Sequence, residues 1–179
     1  MEETGHAGFT LIELLLTVAL VALLAGLAVP AMSRFVDNGR LRGAAEQLVQ
    51  DLRQARNRAL TFQQDVYISF GGQPGDRWCC GWRERQACDC RLNPPAEKVC
   101  TVGTPGAALQ RRLSTDFPRV TLHTPRSSTA YQVRFTSTRG TADAATLRLD
   151  NPAGEVHVIV SPLGRVRACS VKGRSYSPC

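Results

Sequence analysis

The chain lacks several features that would place it in common protein classes. It has no internal repeat at solenoid spacing, which excludes an array of stacked units. After residue 32 it has no apolar run that approaches a membrane span in length, which excludes a polytopic membrane protein. Cysteine is absent from the first 78 residues, and lysine occurs only at Lys98 and Lys172. What remains to be explained is one early apolar run, many arginines and a late group of cysteines.

Arginine carries nearly all of the positive charge. The 22 Lys and Arg exceed the 15 Asp and Glu, which gives a formal net charge of +7 in 179 residues. This excess suggests partners such as nucleic acid or acidic surfaces, and it says nothing about the fold. With 43% hydrophobic residues the chain is not a disordered one.

The early apolar run extends over residues 9–32 and contains a single charge, Glu13. It is long enough to cross a bilayer as a helix, which excludes a freely soluble cytosolic protein. It is too long for an ordinary cleaved signal, and residues 1–8 contain two Glu and no Lys or Arg. A plain anchor leaves Glu13 unexplained, because a carboxylate in the span costs about 2.5–3.5 kcal/mol on insertion scales. The alternative is that Glu13 merely complements the dipole of the first helical turn.

Residues 8–15, Gly-Phe-Thr-Leu-Ile-Glu-Leu-Leu, resemble the class III signal of type IV pilins and pseudopilins. The resemblance implies that residues 1–8 are a leader, which a prepilin peptidase removes between Gly8 and Phe9, and that Phe9 is then N-methylated. It also implies that Glu13 compensates the terminal amine of a neighbouring subunit during filament assembly. A paired charge is tolerable in apolar surroundings where an isolated one is not. The leader departs from the family pattern because it lacks the usual Lys or Arg.

Helical periodicity continues beyond the apolar run. Apolar residues recur at alternating spacings of four and three at Leu41, Ala45, Leu48, Leu52, Ala55 and Ala59. We therefore predict one helix over about residues 9–60, roughly 78 Å long at 1.5 Å per residue. Residues 9–32 form its transmembrane half and residues 33–62 its amphipathic half, which packs on a globular core.

From residue 63 onwards the apolar period becomes two, which predicts a β-rich globular domain over residues 63–179. The strand candidates are residues 66–70, 120–123, 131–136, 146–150, 156–160 and 165–169, and residues 151–154 read as a hairpin turn. Residues 74–105 are expected to be a Cys-rich, loop-like insertion with few strands. A long helix followed by successive strands predicts an α+β, pilin-like fold with an antiparallel sheet.

The cysteines are clustered and odd in number. Their late position suits an oxidising compartment, and at least one thiol must be free or paired between chains. Neither the usual zinc spacing nor a C-x-x-C redox motif is present, so structural disulfides are favoured and no metal or cofactor is expected. Trp78 and Trp82 are expected to pack under these disulfides. The cluster comprises Cys79, Cys80, Cys88, Cys90 and Cys100.

The end of the chain is basic and contains no acid after residue 160. In a strand, Arg165 and Arg167 project to one face, where they could contact neighbouring phosphates. Lys172 and Arg174 follow, and a Cys169–Cys179 disulfide would close this tail into a loop, although the spacing alone leaves the pairing open. The alternative is that Arg165 and Arg167 lie on an ordinary solvent-exposed strand face and have no binding role.

Residues 164–167, Gly-Arg-Val-Arg, together with residues 135–140, are similar to the FimT/GspH branch of minor pilins and pseudopilins. In FimT-like pilins of naturally competent bacteria, a Gly-Arg-x-Arg motif near the C-terminus is associated with DNA binding. The resemblance implies non-specific binding of double-stranded DNA through Arg165, Arg167, Lys172 and Arg174.

No combination of Ser, His and carboxylates suggests catalysis, so we do not expect an enzyme. The leading hypothesis is a FimT-like minor pilin with a single pass through the bacterial inner membrane and a periplasmic globular domain. Its partners would be other pilins, the prepilin peptidase and double-stranded DNA. One alternative is a GspH-like minor pseudopilin of a type II secretion system with a structural role. Another is an anchored periplasmic thiol or metal protein built on the cysteine cluster.

Overall fold

The computed structural model describes residues 10–72, 77–103, 109–125, 130–172 and 176–179. They form a helix, a short 3-10 turn over Ser114–Asp116 and eight strands. The elements are α1 (Leu11–Phe62), β1 (Val66–Gly71), β2 (Cys79–Glu84), β3 (Arg111–Leu113), β4 (Thr121–His123), β5 (Ala130–Phe135), β6 (Ala145–Asn151), β7 (Gly154–Val160) and β8 (Val166–Lys172). The chain divides into two units, Met1–Val36 and Asp37–Cys179.

Helix α1 has clear start and stop signals. The carbonyl and the hydroxyl of Thr10 accept hydrogen bonds from the amide of Glu13, at 3.1 and 3.3 Å, as expected of an N-cap. The helix ends where Gln63 takes a left-handed φ of 49° and the Gln64 amide bonds back to the carbonyl of Ala59. The helix is 52 residues long, begins two residues later than predicted, and ends at Phe62, the predicted end of its amphipathic half.

In the first unit, α1 presents apolar side chains on all sides. The large hydrophobic residues whose side chains are described between Leu11, at 76%, and Phe35, at 75%, are exposed. Among the described residues, Leu11–Phe62 is the helix that is long and apolar enough to cross a membrane, by length and composition. The chain therefore carries the membrane-anchoring type of segment that its N-terminal motif predicts.

In the second unit, one stripe of α1 is buried. The six predicted stripe residues are all at most 5% exposed, which confirms the packing role read from their spacing. They share a core with the inner faces of two antiparallel four-stranded sheets, ordered β3-β2-β1-β5 and β4-β6-β7-β8. The predicted α+β fold with antiparallel pairing is confirmed, but the strands form two sheets.

Strand β2 corrects the prediction of a loop-like insertion, which is wrong for residues 79–84. The segment Cys-Cys-Gly-Trp-Arg-Glu has no β-branched residue, so it gives a weak strand signal, yet it pairs with β1 along its whole length. Cys80 and Trp82 face the core. Strand β3 was also missed, because it has only three residues.

Trp78 and Trp82 belong to this main core, so the expectation that they pack under the disulfides is wrong. The indole nitrogen of Trp78 donates to the carbonyl of Val120 at 2.7 Å, and its ring stacks on Phe117 with centroids 6.2 Å apart.

Two disulfides, Cys79–Cys90 and Cys88–Cys100, lie on the other face of the first sheet. Glycine makes room for them, since a Cβ on Gly81 would lie 2.7 Å from the sulfur of Cys100. The prediction that the clustered cysteines form structural disulfides is confirmed. Cys80 is the unpaired thiol and is buried, and the described residues contain no group of three potential ligands for a metal ion.

Candidate nucleic-acid interface

Strand β8 lies at the edge of the second sheet and exposes Arg167 to solvent, and Arg165, which directly precedes β8, is exposed as well. Val166 is 5% exposed and pairs with Val160 on β7, while Arg167 pairs with Ile159. Both arginines are exposed, and neither guanidinium has an ion-pair partner among the residues that the structure describes. Two such guanidiniums are available to bind phosphate oxygens.

Gly164 is required by a close approach between two turns. Its φ is +72°, and a Cβ built on it would lie only 1.9 Å from the carbonyl oxygen of Gly140. Gly140 also has a left-handed φ, of +61°. Any other residue at 164 would push apart the β7–β8 turn, which contains Gly164, and the β5–β6 turn, which contains Gly140.

Further hydrogen bonds hold these two turns together and to α1. The amide of Ala142 donates to the carbonyl of Pro162 at 3.0 Å. From the helix, Arg56 donates through Nε to the Gly140 carbonyl at 3.2 Å and through a terminal nitrogen to the Leu163 carbonyl at 3.4 Å. Arg53 donates to the Val166 carbonyl at 3.3 Å, where β8 begins.

The contact between the turns brings Arg139 into the region of Arg165. Arg139 is exposed and directly precedes Gly140, just as Arg165 directly follows Gly164. The sequence pattern assigned none of Arg139, Arg53 and Arg56 to the site. The Arg-Gly and Gly-Arg pairs are visible in the sequence, but their meeting depends on contacts between residues more than 20 positions apart.

The carboxylates on the exposed face of the second sheet are remote from Arg165. Glu155 lies 2.8 Å from the ring of His157, and Asp150 is 2.7 Å from the ring of His123 in a close contact that lacks hydrogen-bond geometry. Arg148 lies near both acids, at 3.8 and 3.9 Å. Glu155 is separated from the end of β7 by roughly 17 Å at strand rise. This exceeds the Debye length of about 8 Å at physiological ionic strength, so these acids do little to neutralise Arg165.

Two acids near the β5–β6 turn have other partners. Asp65 accepts from the amide of Ser137 at 2.8 Å, and Asp143 accepts from the amide of Arg134 at 3.3 Å. The pKa of the Arg134 guanidinium is raised, first by a hydrogen bond with Tyr67 and then by charges that include Asp143 and Asp65. These acids therefore act on Arg134, and neither forms an ion pair with Arg139.

A disulfide between Cys169 and Cys179, a pairing that the sequence spacing permitted but left open, folds the C-terminal tail back on β8. The Ser170 amide donates to the Ser177 carbonyl at 2.9 Å, and the Tyr176 hydroxyl donates to the Arg42 carbonyl at 3.4 Å. Burial, and then the negative charge of Glu46, raise the pKa of Tyr176. The ends of the basic loop are thus fixed.

Several predicted site residues lie partly or wholly outside the described residues. Lys172 ends β8, but its side chain is not described, and neither is Arg174. Gly8 and Phe9 also lie outside the described residues. Glu13 is exposed in the first turn of α1, three residues after the N-cap, where the helix dipole favours an acid.

Comparisons with known proteins agree with the predicted family. Residues 44–164 match the family model described as type II transport protein GspH, and residues 4–29 match the prokaryotic N-terminal methylation motif. The type IV minor pilin FimU of Pseudomonas aeruginosa PAO1 is 19% identical in an alignment covering 79% of this chain and 93% of that one, with a TM-score of 0.48. The minor pseudopilin EpsH of the Vibrio cholerae type 2 secretion system is 16% identical over 71% and 94%, with a TM-score of 0.45.

A comparison with curated proteins finds no match. The GspH model, however, covers more than half of the chain, and the methylation motif covers the segment where the pilin signal was predicted. The chain therefore belongs to the GspH family of type II transport proteins and carries the prokaryotic N-terminal methylation motif.

Proposed function

We propose that this chain is a FimT-like minor pilin that binds double-stranded DNA without sequence preference during natural transformation. The observation that carries the proposal is the pair Arg165 and Arg167, which are exposed and unpaired among the described residues at the start of β8, where Arg53 braces the Val166 carbonyl and a disulfide holds Cys169. Lys172 and Arg174, which lie between Cys169 and Cys179 in the sequence, would add further positive charge. Cations of this kind bind phosphates and release counterions, which gives affinity without base recognition.

The proposal includes filament assembly. A prepilin peptidase would cut after Gly8, and Phe9 would be methylated and become the mature N-terminus. The apolar half of α1 would hold the subunit in the inner membrane, and the disulfide-containing unit would lie in the periplasm, where disulfides persist. Glu13 would then neutralise the terminal amine of a neighbouring pilin.

DNA titration of a fragment tests the binding. Residues 37–179 contain all of the core residues, so this fragment retains what the globular unit needs to fold. We expect log affinity for duplex DNA to fall linearly with log salt concentration. Arg165→Ala/Arg167→Ala should weaken binding and reduce that slope by roughly 1.8, about 0.9 for each lost phosphate contact.

The matched control is Arg85→Ala/Arg91→Ala, which removes the same charge from the segment beside the first sheet. If both double variants bind equally, net charge and not the β8 surface attracts DNA. Binding that does not respond to salt would contradict the electrostatic mechanism.

The alternative is a structural subunit of a type II secretion pseudopilus. It is favoured by the description of the matched family model, which names type II transport. Absence of DNA binding by the unmodified fragment would support this role, as would neighbouring genes that encode secretion components.

A further inference from the structure

We infer that Arg139 is a further DNA-contacting residue and that Arg56 positions it, so that the binding surface extends over two turns and not over β8 alone. The inference rests on the proposed DNA binding and adds residues to that site. It starts from the contact between Gly164 and the carbonyl oxygen of Gly140, which exists only because Gly164 has no side chain.

This contact limits how far apart the flanking arginines can be. A Cβ on Gly164 would fall 1.9 Å from the Gly140 oxygen, so the two backbones touch. Consecutive Cα atoms are about 3.8 Å apart, so the Cα atoms of Arg139 and Arg165 lie within roughly 13 Å of each other. Both side chains are exposed and neither forms an ion pair within the described part of the chain.

Arg56 makes the arrangement rigid. Its guanidinium donates to one carbonyl in each turn, at Gly140 and at Leu163, so that one helix residue fixes both. Arg53 fixes the start of β8 in the same manner through the Val166 carbonyl. Cations held in place before binding lose less conformational freedom when they engage a ligand, so phosphate binding costs less.

The position of Arg139 in the fold suggests what this residue contributes to DNA binding. Arg165, directly before β8, and Arg167, in β8, form one row and are about 7 Å apart at strand rise. Arg139 follows β5 of the other sheet and does not belong to that row. A third cation outside the row can reach phosphates of the second strand of a duplex, so its contribution should be larger for double-stranded than for single-stranded DNA.

The test compares Arg139→Ala with Arg85→Ala in residues 37–179, using duplex and single-stranded DNA over a salt series. We expect Arg139→Ala to reduce the salt slope on duplex DNA by about 0.9, and the affinity roughly eightfold at 0.1 M salt, with a smaller loss on the single strand. Arg85→Ala should change the affinity less than twofold. An Arg139→Ala variant that matches the Arg85→Ala control would overturn the inference.

The positioning role of Arg56 is tested by measuring its coupling to Arg139 in a double-mutant cycle. Arg56→Lys keeps the charge but cannot donate to both carbonyls in the same geometry. If Arg56 positions Arg139, the effect of Arg139→Ala on DNA affinity should shrink at least threefold in the Arg56→Lys background, whereas independent sites would give an unchanged ratio of affinities.

The unmodified fragment is the reference that separates this inference from the proposed function. If it fails to bind DNA, the proposed function and this inference both fail. If it binds and responds to Arg165→Ala/Arg167→Ala but not to Arg139→Ala, the inference alone fails.

Discussion

At the scale of single residues, the unpaired cysteine shows how a reactive group can be made inert. Cys80 points into the core beside Asp51, a carboxylate bound by Arg112 at 3.2 Å and by Gln47 at 3.1 Å. Burial raises the pKa of the Cys80 thiol to about 12, and the negative charge of Asp51 adds to the rise. Since the thiolate is the nucleophile, Cys80 is a packing residue and not a redox centre.

We predict that Cys80 does not react with a thiol reagent at pH 8 in the folded protein and reacts fully in denaturant. The neutral thiol contributes stability that is complete below the pKa of an exposed cysteine, near 9.0, and is lost as the pH rises towards 12. The free energy of unfolding should therefore fall with pH in this range by up to about 1.4 kcal/mol per unit. Cys80→Ala should remove that part of the slope. Rapid labelling of the native protein would show that the thiol is accessible.

At the scale of elements, strand β2 and the disulfides depend on one another. Its core-facing side carries Cys80 and Trp82, and its other side carries Cys79 and Gly81 beneath the disulfides. The Ser69 hydroxyl on β1 accepts from the Cys88 amide at 3.2 Å, so the covering segment is also hydrogen-bonded to the sheet. The first sheet is thus covered on both faces.

Two glycine substitutions distinguish the site beneath the disulfides from a site within α1. In Gly81→Ala the new methyl would lie 2.7 Å from the Cys100 sulfur and 2.8 Å from the Gln110 carbonyl, so we expect a loss of about 1–3 kcal/mol in the free energy of unfolding. In Gly43→Ala, within α1, the new methyl would lie 3.9 Å from a ring carbon of Phe117, which is an ordinary contact distance, so a gain of about 0.5–1 kcal/mol in the free energy of unfolding is expected. Chemical denaturation measures both, and equal effects would contradict the close packing beneath the disulfide.

At the scale of the whole molecule, the core and the apolar anchor occupy different parts of the chain. Every buried core residue lies between Leu41 and Cys169, within the unit Asp37–Cys179. The described large apolar residues between Leu11 and Phe35 are exposed, which suits a lipid or filament environment. Anchoring and folding can therefore be separated experimentally.

We predict that residues 37–179 with intact disulfides unfold in one cooperative thermal transition. The three disulfides join cysteines 10 to 12 positions apart, and short loops of this size restrain the unfolded chain by up to about 3 kcal/mol each. Reduction should lower the Tm by at least about 10 °C, as followed by circular dichroism. A fragment without cooperative unfolding would show that its stability needs the first 36 residues.

Much of the architecture could be predicted from local patterns. The pilin-like signal, the extent of α1, its buried stripe and the hairpin turn at residues 151–154 each depend on spacing within one element, where periodicity directly reports which side is buried. The alternation that exposes Arg165 and Arg167 around buried Val166 is of the same kind.

The sequence by itself determined the class of protein and the faces of its main elements, because these follow from neighbours along the chain. Only the tertiary structure decided which cysteines pair, that β2 is a core strand, and that Arg56 braces the turn of Arg139 against that of Arg165. These features depend on distances between residues remote in sequence. Packing sets those distances, and at Gly164 the absence of a side chain allows the contact with the Gly140 carbonyl oxygen.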